Sequence, residues 1–216
     1  MEITWVNAIV LTLGVGVIAV VMRGNLWRAW LCLRPTSINI EADAPADQVK
    51  VPAALEKADA ELRALGLTSL GSHLEQPRFG PQMFSYDYTH PTEKCFATLY
   101  LSTTGEANLY FLTPTQRGGF VITANHRRPA REIKGHYLSG ALEFLPAARV
   151  FTAHLRRVTE VGIPEGDFTQ AGRVAAAKAW FAGPGNVEVR QQNALGLLWT
   201  VGTVGMVAAA IFGSRS

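Results

Sequence analysis

Cysteine is scarce in this chain, which holds only Cys32 and Cys95 among its 216 residues. Neither belongs to a CxxC pair, so the sequence favours neither a disulfide-stapled fold nor a zinc site. Charge is also sparse, since Asp, Glu, Lys and Arg make up 17% of the chain against about a quarter in most proteins. The net charge of +3 comes without a dense basic stripe, which argues against nucleic acid as a partner.

The sequence also lacks the common motifs of catalysis. No two of its five histidines lie three or four residues apart, and HExxH is absent, so a metal site would have to be assembled from separate elements. GxSxG, GxxxxGK[ST] and GxGxxG do not occur either. We therefore expect no cofactor, no metal and no identifiable catalytic residue, and the balance leans away from an enzyme.

Two long runs without charge lie near the two ends of the chain. Residues 3–22 and 194–213 each supply the roughly 20 residues that a helix needs to cross about 30 Å of hydrocarbon. They predict transmembrane helices at residues 1–22 and 193–213. A cleaved signal peptide is the alternative for the first run, but Glu2 makes its start acidic and no small-x-small cleavage site closes it.

Tryptophan and arginine follow the first apolar run in residues 23–35, which we call the interfacial collar. Indole rings favour the headgroup level of a bilayer, and arginines reach its phosphates. The predicted membrane-interface residues are Arg23, Trp27, Arg28, Trp30 and Arg34. The positive-inside rule then predicts a two-pass protein of the bacterial inner membrane, with residues 36–190 in the cytoplasm and both termini outside.

Small residues recur at helical spacing in both apolar runs. Gly16 lies on such a face in the first run, and Gly205 and Ala209 lie on one in the second. Such faces let membrane helices approach closely. They predict packing of the two helices against each other, or docking against another membrane subunit.

The residues between the apolar runs alternate between helical and strand periodicity. A helix is predicted at 52–65, strands between about 67 and 125, and further helices within 137–161 and at 168–182. The predicted soluble domain is therefore α+β. It has a four- to five-stranded antiparallel sheet, one preceding helix and two following helices, with helices covering one face of the sheet.

The stretch RGGFVITANHRRP (117–129) ends in the one local concentration of basic residues. Its residues and those just after it favour a solvated loop that follows a strand, and contact with anionic lipid or an acidic partner is the alternative. The candidates are His126, Arg127, Arg128, Arg131 and Lys134. His154 lies in an apolar helical stripe, which favours a hydrogen-bonded core imidazole over a catalytic or ligand role.

The middle of the chain resembles a group of uncharacterised bacterial membrane-anchored proteins. The resemblance covers roughly residues 50–160 and is carried by LRALGLTSLG, YFLTPTQRGGFVITANHRRP and LPAARVFTAHLRRV. It implies a membrane-anchored domain with a helix, an antiparallel meander and a later helix. It implies no activity.

These patterns together favour a membrane-anchored, non-enzymatic binding or scaffolding protein, or an accessory subunit of a larger membrane assembly. One alternative is a membrane-bound enzyme acting on a lipid or small amphiphile, with His154 or His126 as the base. Another is a ligand-sensing domain coupled to the helix pair. The expected partners are the lipid bilayer and another membrane protein, and the oligomeric state is left open.

Overall fold

The period-two alternation in the middle of the chain forms an eight-stranded mixed sheet in the computed structural model, which describes residues 5–213. The strands lie in the order β1-β2-β3-β4-β5-β6-β8-β7. They are β1 (Ile38–Pro45), β2 (Thr68–Pro77), β3 (Met83–His90), β4 (Cys95–Leu101), β5 (Ala107–Thr115), β6 (Gly119–Ala124), β7 (Arg131–Ile133) and β8 (Tyr137–Ala141). Strands β2 to β6 form an antiparallel meander, whereas β8 runs parallel to β6.

The chain divides into two units. The first takes the residues up to Ile38, the segment Pro77–Pro81 and the residues from Val187 onward, and the second takes Asn39–Gln76 and Gln82–Asn186. The side chains of residues 6–8, 10, 11 and 210–213 lie outside the description.

The predicted four- or five-stranded antiparallel sheet is wrong, because the sheet has eight strands and is mixed. Residues 137–141 form β8 rather than the start of a helix. Their backbone pairs in register with β6, from Phe120 opposite Tyr137 to Ala124 opposite Ala141. This pairing is a tertiary contact, so the local periodicity of five residues does not report it.

Three helices of the second unit agree well with their predicted positions. A 3-10 turn at Ala53–Leu55 leads into α2 (Glu56–Ala64). Pro146 precedes α3 (Ala147–Val161), which ends at Gly162, and α4 covers Gln170–Ala182. Thr169 caps α4 by accepting a hydrogen bond from the backbone N–H of Gly172, which satisfies one of the free donors of the first turn.

The hydrophobic core of the second unit lies between one face of the sheet and helices α2 and α3. Its buried members include Leu62 of α2, Val150 of α3, and Leu99 and Phe111 of the central strands. Each fully buried side chain of this kind contributes about 1.5–3 kcal/mol. Helix α4 contacts the opposite face, where Trp180 donates a hydrogen bond to the Tyr137 hydroxyl. The sheet is thus covered on both faces, not on one as the sequence suggested.

The first unit contains the long helices α1 (Trp5–Leu33) and α5 (Gly185–Gly213), of which α5 begins in the second unit. One stretch of the described residues, Thr12–Leu33, is long and apolar enough to cross a membrane, a property that it shares with signal sequences near an N-terminus. The architecture with two transmembrane helices is therefore wrong for the described residues. Helix α5 buries the polar residues Glu188, Asn193 and Thr203. Residues 1–4 of the first predicted span, and the side chains after residue 209 of the second, lie outside the described part.

Candidate functional site

A network of buried polar side chains lies between the sheet and α4. Asp87 of β3 pairs in register with Thr98 of β4, which pairs with Tyr110 of β5, so three adjacent strands place these side chains in one row. In β2 the residue opposite Asp87 is Gly71, and His73, two positions along the strand, reaches the Asp87 carboxylate diagonally. Arg173 of α4 reaches into the row from above, and its side chain is 1% exposed.

The Asp87 carboxylate is the centre of this network. One oxygen lies 2.5 Å from Nδ1 of His73. The other accepts a hydrogen bond of 2.7 Å from the Thr98 hydroxyl and lies 3.2 Å from Nε of Arg173. Arg173 also donates to the Thr98 oxygen and to the Tyr110 hydroxyl, at 2.9 Å and 2.5 Å. Asp87 and His73 have no exposed side-chain surface.

The charges of the network support one another. Burial alone would raise the pKa of Asp87, but the nearby Arg173 and His73 outweigh burial and hold that pKa below its ordinary value. Burial also opposes protonation of His73, yet the Asp87 carboxylate outweighs it and raises the pKa of His73. The second ring nitrogen of His73 lies 3.2 Å from the Glu75 carboxylate. Two carboxylates therefore face two cations when His73 is protonated.

The chemistry of this network is that of a closed ion-pair cluster. A catalytic triad needs a hydroxyl or thiol on the imidazole nitrogen that does not contact the carboxylate. Here that nitrogen of His73 faces Glu75, and the nearby Thr98 hydroxyl donates to Asp87 instead. The network therefore joins α4 to three strands and presents no nucleophile to a substrate.

Sequence reasoning missed this network. Glu75 lies in β2 together with His73. The sequence does hold a signal for the network. His73 and Glu75 are two positions apart, as residues on one face of a strand are, and Asp87 lies inside the aromatic strand FSYDYT. Arg173 stands in an otherwise small and apolar helical run, which is a further signal of a buried ion pair.

His154 lies on the other face of the sheet, as the core interpretation predicts. Its Nε2 is 2.9 Å from the Thr113 hydroxyl and its Nδ1 is 3.2 Å from the Thr123 hydroxyl. Burial, with a further contribution from Arg157, lowers the pKa of His154 to about 3. Its side chain is fully buried, so no substrate reaches this imidazole in the structure.

His126 is also engaged within the domain. Its Nε2 lies 3.1 Å from the Tyr100 hydroxyl, and the two rings meet edge to face. Burial and the charge of Arg128 lower its pKa to about 4. The imidazole is therefore neutral at physiological pH and adds no charge to the predicted basic group.

Two arginines of that basic group are engaged within the domain. Arg128 donates a hydrogen bond to Ser139 and lies over the Trp180 ring. Arg131 donates to the carbonyl of Pro184 and lies over the Tyr137 ring. Only Arg127 and Lys134 are exposed. The contact with lipid or an acidic partner stays a prediction, and these two residues are the ones available for it.

The end of α1 and the β2–β3 loop form what we call the Trp30 cluster: Trp27, Trp30, Arg34, Arg78 and Phe79. The guanidinium carbons of Arg34 and Arg78 lie 5.2 Å and 5.3 Å from the centroid of the Trp30 ring. Phe79 meets Trp30 edge to face, and the backbone of Gly80 packs beside Trp27. Three members come from the predicted collar, and the loop supplies Arg78 and Phe79, which sequence reasoning did not single out.

The other collar residues and the small-residue faces are placed differently. Arg28 donates a hydrogen bond to the carbonyl of Gln192, and Arg23 is exposed. Apart from the nearby backbone of its own helix, no described atom lies within 4 Å of a Cβ added at Gly16 or Gly205. Ala209 is exposed as well.

Helices α1 and α5 approach closely at a different position from the predicted one. A Cβ added at Gly196 would lie 2.4 Å from the Cβ of Arg28. Docking of Gly16, Gly205 and Ala209 against another membrane subunit stays a prediction.

The comparisons with known proteins leave the function to be inferred from this geometry. No protein-family model matches the chain, and no curated protein or solved structure matches it either.

Among the described residues no group of three or more His, Cys, Asp or Glu side chains could hold a metal ion. Burial, with the charge of Glu93, raises the pKa of the Cys95 thiol to about 12, so Cys95 is unreactive.

Proposed function

We propose that this chain is a membrane-tethered binding protein, in which α1 lies in the bilayer and the sheet domain is a non-catalytic scaffold. The observation that carries the proposal is the exposed apolar surface of α1. Leu13, Val17 and Val20 are 65%, 63% and 73% exposed, within a helix of 29 residues. Contiguous apolar surface of this kind is costly in water and marks a membrane or interaction site.

The binding role is supported by the closed chemistry of the second unit. Its most concentrated group of titratable side chains is filled by its own ion pairs, and the Asp87 carboxylate has all its partners within the chain. The two histidines that the sequence offered as bases have pKa values of about 3 and about 4, well below the range useful for a general base at neutral pH. A scaffold requires only that this unit be rigid.

The cytoplasmic location of the sheet domain stays a prediction. It rests on Arg23, Arg28 and Arg34 at the end of α1, since arginine is enriched on the cytoplasmic side. We also propose that the partner presents an anionic surface, which the exposed positive charges of Arg127 and Lys134 would contact.

Membrane association is tested by alkaline extraction of membranes that contain the full chain. We expect the wild type to stay in the membrane pellet. A variant that carries Leu13→Asp, Val17→Asp and Val20→Asp should move to the soluble fraction, because each charge at the centre of a membrane helix costs about 2.5–3.5 kcal/mol.

The matched control places three aspartates on exposed apolar positions of the second unit: Leu101, Ile133 and Phe144. This control should stay in the pellet with the wild type. Extraction of the wild-type chain by alkali would overturn the proposal.

A further inference from the structure

The Trp30 cluster has two cations without an anion. Arg34 and Arg78 are both exposed, and in the described part of the chain neither guanidinium forms an ion pair or donates a hydrogen bond. Each is positioned by the face of an aromatic ring, which attracts the cation but leaves its N–H donors unused. Both guanidinium carbons lie within 5.3 Å of the centroid of the same indole ring, so positive charge is concentrated around Trp30.

The indole itself adds a third donor without an acceptor. Nε1 of Trp30 is buried and has no hydrogen-bond partner among the described atoms. Buried polar groups are nearly always paired, and an exception points to a missing ligand or solvent molecule. The cluster therefore offers donors and positive charge that no anion among the described residues meets.

The β2–β3 loop exposes the apolar ring of Phe79 to solvent beside these cations. Phe79 is 58% exposed and has a left-handed backbone with φ of 66°. That conformation costs an aromatic residue free energy, and such strain persists where the surrounding structure enforces it. Pro77, Pro81 and the hydrogen bond from the Gly80 N–H to the Pro77 carbonyl restrict the loop to this conformation.

We infer that the Trp30 cluster binds the headgroup phosphate of an anionic membrane lipid. Arg34 and Arg78 contact the phosphate, Trp30 Nε1 donates to it or to the adjacent ester oxygen, and the Phe79 ring lies against the acyl boundary. The inference rests on the proposed membrane insertion of α1.

Position along the chain favours a lipid over a free phosphate. The candidate span Thr12–Leu33 ends one residue before Arg34, so in the proposed tether Arg34 lies at the end of the span, beside the headgroups. Arginine and tryptophan together are typical of that level, with the apolar part of each side chain toward the hydrocarbon. An exposed phenylalanine beside the cations has a use in a bilayer and none in binding inorganic phosphate.

The test is native mass spectrometry of the full chain, released from nanodiscs that contain equal amounts of phosphatidylglycerol and phosphatidylcholine. We expect the wild type to retain phosphatidylglycerol preferentially. Arg34→Gln and Arg78→Gln should each lower that preference roughly fivefold, and the double variant about thirtyfold. The control Arg149→Gln removes the same charge from an exposed position on α3 and should leave the preference unchanged.

Two further variants test the geometry and not only the charge. Trp30→Phe keeps an aromatic ring but removes the N–H donor, and it should lower the preference for phosphatidylglycerol. Phe79→Gly fits the left-handed backbone without strain and should weaken retention of both lipids. An unchanged preference in the double arginine variant, with all variants still membrane-bound, would overturn the lipid inference and leave the proposed function standing.

Two other outcomes have distinct meanings. If inorganic phosphate at millimolar concentration displaces phosphatidylglycerol from the wild type, the site binds soluble phosphate and the lipid assignment is wrong. If the wild-type chain does not enter nanodiscs at all, the proposed membrane tether itself fails.

Discussion

The guanidinium of Arg173 lies 3.2 Å from the carboxylate of Asp87, and both side chains are sealed from solvent. This pair joins α4 to the centre of the sheet. A buried charge that loses its partner is costly, whereas a complete buried pair contributes little net stability over apolar residues of similar size. The main effect of the pair is therefore to fix the position at which α4 packs on the sheet. Its net contribution to the free energy of unfolding is small.

Arg173→Met should lower the free energy of unfolding by about 3–5 kcal/mol, because it leaves the Asp87 carboxylate buried beside too little positive charge. Adding Asp87→Leu to that variant should restore part of the loss, since both charges are then gone. The measurement is urea unfolding of the full chain in mild detergent. Lys178→Met, at an exposed position on the same helix, is the control, and a loss in Arg173→Met no larger than in this control would contradict the prediction.

His154 should make the domain less stable as the pH falls. Its pKa is about 3 in the folded chain and 6.5 in an ordinary imidazole, so between these values only the unfolded state takes up the proton. The contribution of His154 is complete above pH 6.5 and is lost on acidification, by about 1.4 kcal/mol per pH unit. His154→Asn should remove that slope.

His73 has the opposite sign, because its raised pKa makes its contribution complete below pH 6.5 and lost as the pH rises through the folded value. The His154 comparison is therefore made between pH 4.5 and 5.5, below the ordinary pKa of His73 and above that of Asp87, where neither group changes its charge much on unfolding. His126→Asn should flatten the slope over a narrower interval, down to about pH 4. Equal slopes in wild type and His154→Asn would show that His154 is not sealed.

The two glycines after Arg117 should tolerate alanine unequally. Gly118 has φ of 72° and open space around it, so alanine costs about 1 kcal/mol of backbone strain. Gly119 has an ordinary φ of −78°, but a Cβ there would lie 2.4 Å from the His136 carbonyl oxygen. Gly119→Ala should therefore cost more, about 2–3 kcal/mol, and thermal unfolding of the two variants measures the order. The reverse order would contradict the close approach of β6 to His136.

Local patterns predicted the local elements well. The stripe of Val150, Phe151 and His154 identifies the buried side of α3, and Pro146 and Gly162 mark its ends. The Gly-Gly pair predicts a turn, and Gly118 has the positive φ of a turn residue, whereas Gly119 is an ordinary strand residue that must be glycine because of its close approach to His136. Helix periodicity and turn chemistry are set by residues close in the chain, so they can be read without a fold.

The missed features depend on residues far apart in the chain. β8 is a strand because β6 lies beside it, and Asp87 is buried because Arg173 arrives from a helix 86 positions later. The Trp30 cluster likewise needs the β2–β3 loop to bring Arg78 to α1. Nothing in the local sequence around Arg78 predicts that its guanidinium lies over the Trp30 ring.

The membrane tether is tested most directly by the accessibility of α1 in lipid. Val17→Cys in a Cys32→Ser background, reconstituted in vesicles, is treated with a water-soluble maleimide that does not cross bilayers. Cys95 is buried and unreactive in the folded domain, and the Cys32→Ser chain alone measures any signal that it adds. Lys94→Cys, at an exposed turn of the second unit, reports full accessibility when the domain faces outward.

The account predicts that the thiol introduced at position 17 is protected in intact vesicles, while the thiol introduced at position 94 reacts in the outward-facing molecules. Once denaturant and detergent dissolve the vesicles, the thiol at position 17 should react as well, above the signal of the Cys32→Ser chain. Labelling at position 17 in intact vesicles at the rate found at position 94 would contradict the account.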